Sequence, residues 1–81
     1  MSPTVLNKGP YRFYFFSHDG NEPAHIHVDR DDSTVKFWLN PIALASSIGF
    51  SAKELRKIQK MVESNQKKFL EAWNGYFGIK S

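Results

Sequence analysis

Cysteine is absent from this 81-residue chain, which removes disulfides, thiolate metal sites and cysteine nucleophiles together. Long apolar runs are missing too. Nothing approaches the ~18 residues of a membrane span, and the opening MSPTVLNKGP lacks the layout of a signal peptide. No Gly-rich phosphate loop, Gly-x-Ser-x-Gly elbow or carboxylate pair at catalytic spacing occurs. Repeats, low-complexity stretches and Pro/Gly/Ser linkers are likewise wanting, so the expectation is one cytoplasmic domain over residues 1–81. Residues 1–8 are expected to be a flexible N-terminus. Apolar residues at 41% and charged residues at 23% are close to globular averages and argue against wholesale disorder.

What is present is unevenly distributed. The net charge is +3, but residues 1–40 hold four cations against five acids, and residues 41–81 hold seven against three. Six of the cations fall between Lys53 and Lys68. Crowded on one element, they would attract phosphates or an acidic protein, or simply keep a helix face solvated.

The chain changes character near residue 41. Before it, aromatic and β-branched runs alternate with turn residues, which is strand chemistry. Tyr11–His18 reads as a first strand. Asp19-Gly20-Asn21 is a turn, and Pro23 sets a second strand starting near Ala24. Arg30–Ser33 makes another turn, and Thr34–Leu39 is a third strand ended by Asn40-Pro41. Ile42–Ala45 reads as a short fourth strand. Ser51 with Glu54 forms a capping box, and Phe50 with Leu55 a hydrophobic staple. Leu55, Ile58, Val62, Gln66, Phe69, Leu70, Trp73 and Phe77 then recur at helical spacing. An unbroken helix would measure roughly 35 Å, too long for such short strands, so a break near Asn65 or an overhanging end is expected. Gly75 or Gly78 should stop it. The fold class is α+β: a three- or four-stranded antiparallel meander with a long C-terminal helix on one face.

All three histidines lie in His18-Asp-Gly-Asn-Glu22-Pro-Ala-His25-Ile-His27. Alternation turns Ile26 and Val28 inward and places His25, His27 and Asp29 on the opposite face. Pairing Asp29 with Thr34 puts His27 opposite Lys36 and His25 opposite Trp38. Arg12, Tyr14, Phe16 and His18 join that open face if Phe13 and Phe15 face the helix. Several chemistries suit it. Rings and cations could bind RNA, with His25 and His27 as acid and base of a metal-independent ribonuclease, oriented by Glu22 or His18. Arg12 or Lys36 would then stabilise phosphate charge. A metal site could use His25, His27 and His18, with Glu22 as a fourth ligand or general base. A protein interface could use the same rings, or the histidines could merely occupy a solvated strand face. Arg12, Tyr14, Lys36, Trp38, Lys53, Arg56, Lys57 and Lys60 are the candidate RNA- or partner-binding residues. The reading taken needs no metal and no cofactor.

Phe13-Tyr14-Phe15-Phe16-Ser17, Glu22-Pro23-Ala24-His25-Ile26-His27-Val28, Lys36-Phe37-Trp38-Leu39, Gly49-Phe50-Ser51 and Ala72-Trp73-Asn74 resemble the small bacterial family known as domain of unknown function 4160. The likeness runs from about residue 8 to residue 77, and Glu-Pro-x-His-x-His is its most specific part. The resemblance implies a neighbouring small protein of the domain-of-unknown-function 2442 type. It further implies a toxin–antitoxin-like pair in which the present type is the toxin. It carries no catalytic residues. The function expected is therefore a cytoplasmic interaction protein, the toxin of such a pair, with a small antitoxin-like protein partner and RNA or a nucleic-acid machine as target. A non-catalytic protein-binding module and a His-ligated metal protein are the alternatives.

Overall fold

The computed structural model describes residues 3–79. Five strands form one sheet in chain order, each antiparallel to the next: β1 (Thr4–Lys8), β2 (Tyr11–Tyr14), β3 (His25–Arg30), β4 (Ser33–Leu39) and β5 (Ile42–Ile48). Two helices follow, α1 (Ala52–Ser64) and α2 (Gln66–Phe77). The α+β meander is present, with five strands instead of three or four. The added strand is β1, from the segment expected to be flexible; Met1 and Ser2 of that segment lie outside the described residues. Thr4–Lys8 has little strand character alone and acquires it by pairing with β2.

Two strand limits differ from expectation for identifiable reasons. β5 runs to Ile48 instead of stopping at Ala45, because a register shift opposite Lys36 and Phe37 leaves Ala45 without a cross-strand partner. Such a bulge interrupts the two-residue alternation on which the sequence reading depends. β2 stops at Tyr14 instead of His18. Its ladder with β3 ends at the Tyr14–His27 pair, and the Phe16 amide bonds to the Asp19 carboxylate in place of a strand. Between β3 and β4 the register is the expected one, with Asp29 opposite Thr34, His27 opposite Lys36 and His25 opposite Trp38.

One sheet face carries the core. Phe13, Ile26, Val28, Val35, Phe37 and Leu39 meet Ile58, Val62, Phe69 and Trp73 from the helices, and all are buried. Burying side chains of this size is worth roughly 1.5–3 kcal/mol each, so the helical stripe is the main bond between the two layers. Gln66 sits within that stripe and donates to the Leu39 carbonyl at 2.7 Å, which satisfies its amide at the end of β4. The helix breaks at Asn65, whose side-chain amide caps the Met61 carbonyl at 2.8 Å while its own carbonyl accepts from Phe69. Gly78 ends α2 with φ 69°, a left-handed conformation that glycine adopts without strain.

The start of α1 is half as expected. Ser51 accepts from the Glu54 amide, but the Glu54 carboxylate does not complete a capping box. It accepts instead from Arg30 Nε at 2.6 Å, Arg30 Nη2 at 2.8 Å and the Tyr11 hydroxyl at 2.8 Å. A bidentate guanidinium pair is stronger than one backbone bond, so Glu54 joins α1 to β2 and β3. The Arg30 bonds, then that of Tyr11, hold the Glu54 carboxyl below the ordinary glutamate range against the opposing effect of burial.

A depressed folded-state carboxyl stabilises the fold above its unfolded pKa and loses that contribution as pH falls through the folded value. The Glu54 contribution is therefore complete above the unfolded glutamate value of about 4.3 and is lost as pH falls through the lower folded-state value. Glu54→Gln is expected to lower the melting temperature at pH 7, with the gap to the parent narrowing as pH falls from 7 through and below the ordinary glutamate range. Thermal unfolding across that range checks it; a gap independent of pH would deny the ion pair its role.

Candidate functional site

The loop between β2 and β3 builds the site. Once β2 leaves the ladder, residues 15–24 fold back over the end of the sheet through a 3-10 helix at Asp19–Asn21. Gly20 lies beneath the Phe77 ring, where a Cβ would come within 2.6 Å of it, so the absence of a side chain lets the loop press under α2. Asp19 turns inward and is 7% exposed. Its Oδ2 accepts from the Phe16 amide at 2.9 Å and contacts Nε2 of His25 at 2.9 Å and Nε2 of His27 at 3.3 Å. Burial pushes the Asp19 carboxyl up, but the Phe16 amide and the two imidazoles together hold it below the usual carboxylate range.

His25 is not on an open surface. It shares a sheet face with His27, as the alternation requires, yet it is fully buried. Its ring centroid lies 4.8 Å from Trp73, 5.7 Å from Trp38 and 5.0 Å from His27. Nδ1 approaches the Pro23 carbonyl at 3.0 Å. The missing ladder beyond Tyr14 leaves room there for Asp19 and Trp73 to close on the ring, which strand alternation alone does not convey.

His27 is the reachable imidazole of the pair, with its side chain 16% exposed. It stacks on Tyr14 at 5.3 Å and meets the Phe16 ring at 4.9 Å. It also lines a groove of ≈ 300 Å³ with Thr34, Lys36, Ser46 and Ser47. Burial lowers its pKa, and the hydrogen bond to Asp19 opposes that only in part, so the neutral ring predominates at pH 7.

The other expected residues separate into two surfaces. On the open sheet face, Lys36 donates to Glu22 at 2.7 Å and lies 4.5 Å over the Trp38 ring. That hydrogen bond holds the Glu22 carboxyl below its ordinary value; Glu22 is also 3.7 Å from His25 Nδ1. Arg12 donates to Thr4 and covers the Tyr14 ring at 4.4 Å. Tyr14, expected to stack bases, is buried and donates to Asp29 at 3.0 Å. His18 is exposed and stacks on Phe16; it does not join the His25–His27 cluster. Lys53, Arg56, Lys57 and Lys60 stand apart on the helix side, exposed, and line a larger cleft of ≈ 820 Å³ with Tyr11 and Met61.

Asp19 is the residue that sequence reasoning missed. It read as a turn former, and its one available signal was an acid in a short loop beside two imidazoles on alternate positions. The consequence for experiment is an asymmetry between the histidines. His25→Ala should cost roughly 3 kcal/mol or more, because it opens a cavity and strips a buried carboxylate of a partner. His27→Ala should cost nearer 1 kcal/mol. Urea unfolding of the two variants checks it, and equal losses would contradict the burial.

No curated protein and no solved structure matches the chain. Among the described residues no helix is long and apolar enough to cross a membrane. Residues 11–74 match the family described as domain of unknown function (DUF4160), and the match includes the histidine strand, the Asp19 loop and most of both helices. The chain belongs to that family.

Proposed function

We propose that this protein is a cytoplasmic RNA-binding interaction protein, the toxin component of a two-protein module, and that it holds the phosphate backbone along the cleft on α1. The observation that carries the reading is the convergence of Lys53, Arg56, Lys57 and Lys60 on that ≈ 820 Å³ cleft. Its one acid, Glu54, is already matched by Arg30. A concave surface of one sign concentrates polyanions, and phosphate binding releases counterions from single strands as from duplexes. The toxin assignment rests on what the family resemblance implies. Cleavage by paired imidazoles is disfavoured, since the buried His25 ring has both nitrogens engaged; binding is the proposed action.

Lys53→Glu with Lys57→Glu and Lys60→Glu should weaken binding of single-stranded RNA by more than about tenfold near 0.1 M salt. It should also flatten the log–log salt dependence by about 2, since each phosphate no longer neutralised takes ~0.7 from the slope. Fluorescence anisotropy titrations at several salt concentrations measure both. An unchanged slope would reduce the face to a solubility feature.

A second reading, a protein-binding module, is favoured by β5. This edge strand is exposed over six of its seven residues and carries no charge; Leu44 is 49% and Ile48 70% exposed. Edges are ordinarily guarded by charge or proline, and an unguarded one suits strand addition by a partner. Copurification with the neighbouring small protein, abolished by Ser47→Pro, is the expected result. Retention by that variant would move the interface elsewhere.

A further inference from the structure

The Pro23 carbonyl can only accept a hydrogen bond, so the Nδ1 facing it at 3.0 Å carries the hydrogen of the His25 ring. In the neutral ring the lone pair is then on Nε2. That nitrogen lies 2.9 Å from Asp19 Oδ2, and a lone pair facing a carboxylate oxygen at this distance needs a positive centre with it. A proton would serve that one pair. A third donor atom also converges on the place, because Nε2 of His27 lies 3.3 Å from the same oxygen. The three ligand atoms are all within 4.8 Å of one another. A divalent ion can take all three, which a proton cannot.

We propose that Asp19, His25 and His27 bind one divalent first-row transition metal ion through Oδ2, Nε2 and Nε2. Two imidazoles with one carboxylate favour zinc-like ions over calcium or magnesium, which prefer oxygen throughout. Bonds of about 2.0–2.1 Å at tetrahedral angles place ligand atoms roughly 3.3 Å apart, so the 2.9 Å contact must open by a few tenths of an ångström and the two imidazole nitrogens, within 4.8 Å of one another, must come to the same spacing. The Pro23 carbonyl is the outer partner that fixes the tautomer of a ligating histidine. The rings of Phe16, Tyr14, Trp38 and Trp73 lie against the two imidazoles, and the exposed side of His27 leaves the fourth tetrahedral position to a water. Glu22, engaged by Lys36, and His18, outside the cluster, are not ligands. The site is independent of the RNA cleft, which lies on the other side of the sheet.

The test uses the untagged full-length chain, stripped with chelator and dialysed against Zn2+, with elemental analysis and a Co2+ absorption spectrum. Near-equimolar zinc and a visible d–d band of tetrahedral strength are expected. His27→Gln should weaken zinc binding at least about 100-fold, given that outer-shell losses alone cost 10–100-fold, while His18→Ala leaves it unchanged. His27→Gln is preferred to a His25 variant because its half-buried ring can be removed with the fold intact, as circular dichroism would verify. Failure of the folded parent chain to retain zinc overturns the proposal and leaves an imidazolium–carboxylate pair. Zinc retained equally by His27→Gln, or released by His18→Ala, overturns the assignment of ligands.

Discussion

A single carboxylate oxygen closes the open end of the sheet. Asp19 Oδ2 meets the Phe16 amide and both imidazoles in a place where polar groups without partners would be costly. Because those groups are satisfied by the loop, β2 can leave the ladder after Tyr14. Phe15 then drops into the core and meets the rings of Trp73, Tyr76 and Phe77, while Phe16 remains on the outer side against His27. The loop conformation, the burial of His25 and the seating of the C-terminal end of α2 are consequences of one arrangement.

The sheet divides the candidate chemistry in two. On its outer face, charges and rings are largely committed to one another: Arg12 to Tyr14, Lys36 to Glu22 and Trp38, Thr34 and Tyr14 to Asp29. Such a face is preorganised and offers few free charges. The cleft on α1 is the reverse, lined by exposed basic side chains, of which Lys57 lies 5.6 Å from the Tyr11 ring. Diffuse attraction of a polyanion therefore suits the helix side, and coordination or shape-specific contact suits the sheet side. Glu54 keeps these layers in register, because its bonds to Arg30 and Tyr11 anchor the start of α1 to the strands.

Much of the fold was legible where structure follows from near neighbours in the chain. The stripe from Leu55 to Phe77, the Ser51 cap, the break at Asn65 and the alternation through Ile26 and Val28 all reflect helical or strand periods. The β3–β4 register followed as well, since a short turn leaves little freedom in pairing. Failures occurred where a distant partner overrode the local pattern. Thr4–Lys8 is a strand because β2 lies beside it, Ala45 is bulged out against β4, and Glu54 prefers a guanidinium 24 residues away to the cap beside it.

The candidate site divides the same way. That His25 and His27 share a face, opposite Trp38 and Lys36, was determined by the sequence alone, through the two-residue period of a strand. Which imidazole solvent reaches, and that Asp19 joins them, was decided only by the tertiary structure. Periodicity says on which side a residue lies, whereas burial depends on what else arrives there, and here a loop and a helix end arrive at one ring and leave the other at the surface.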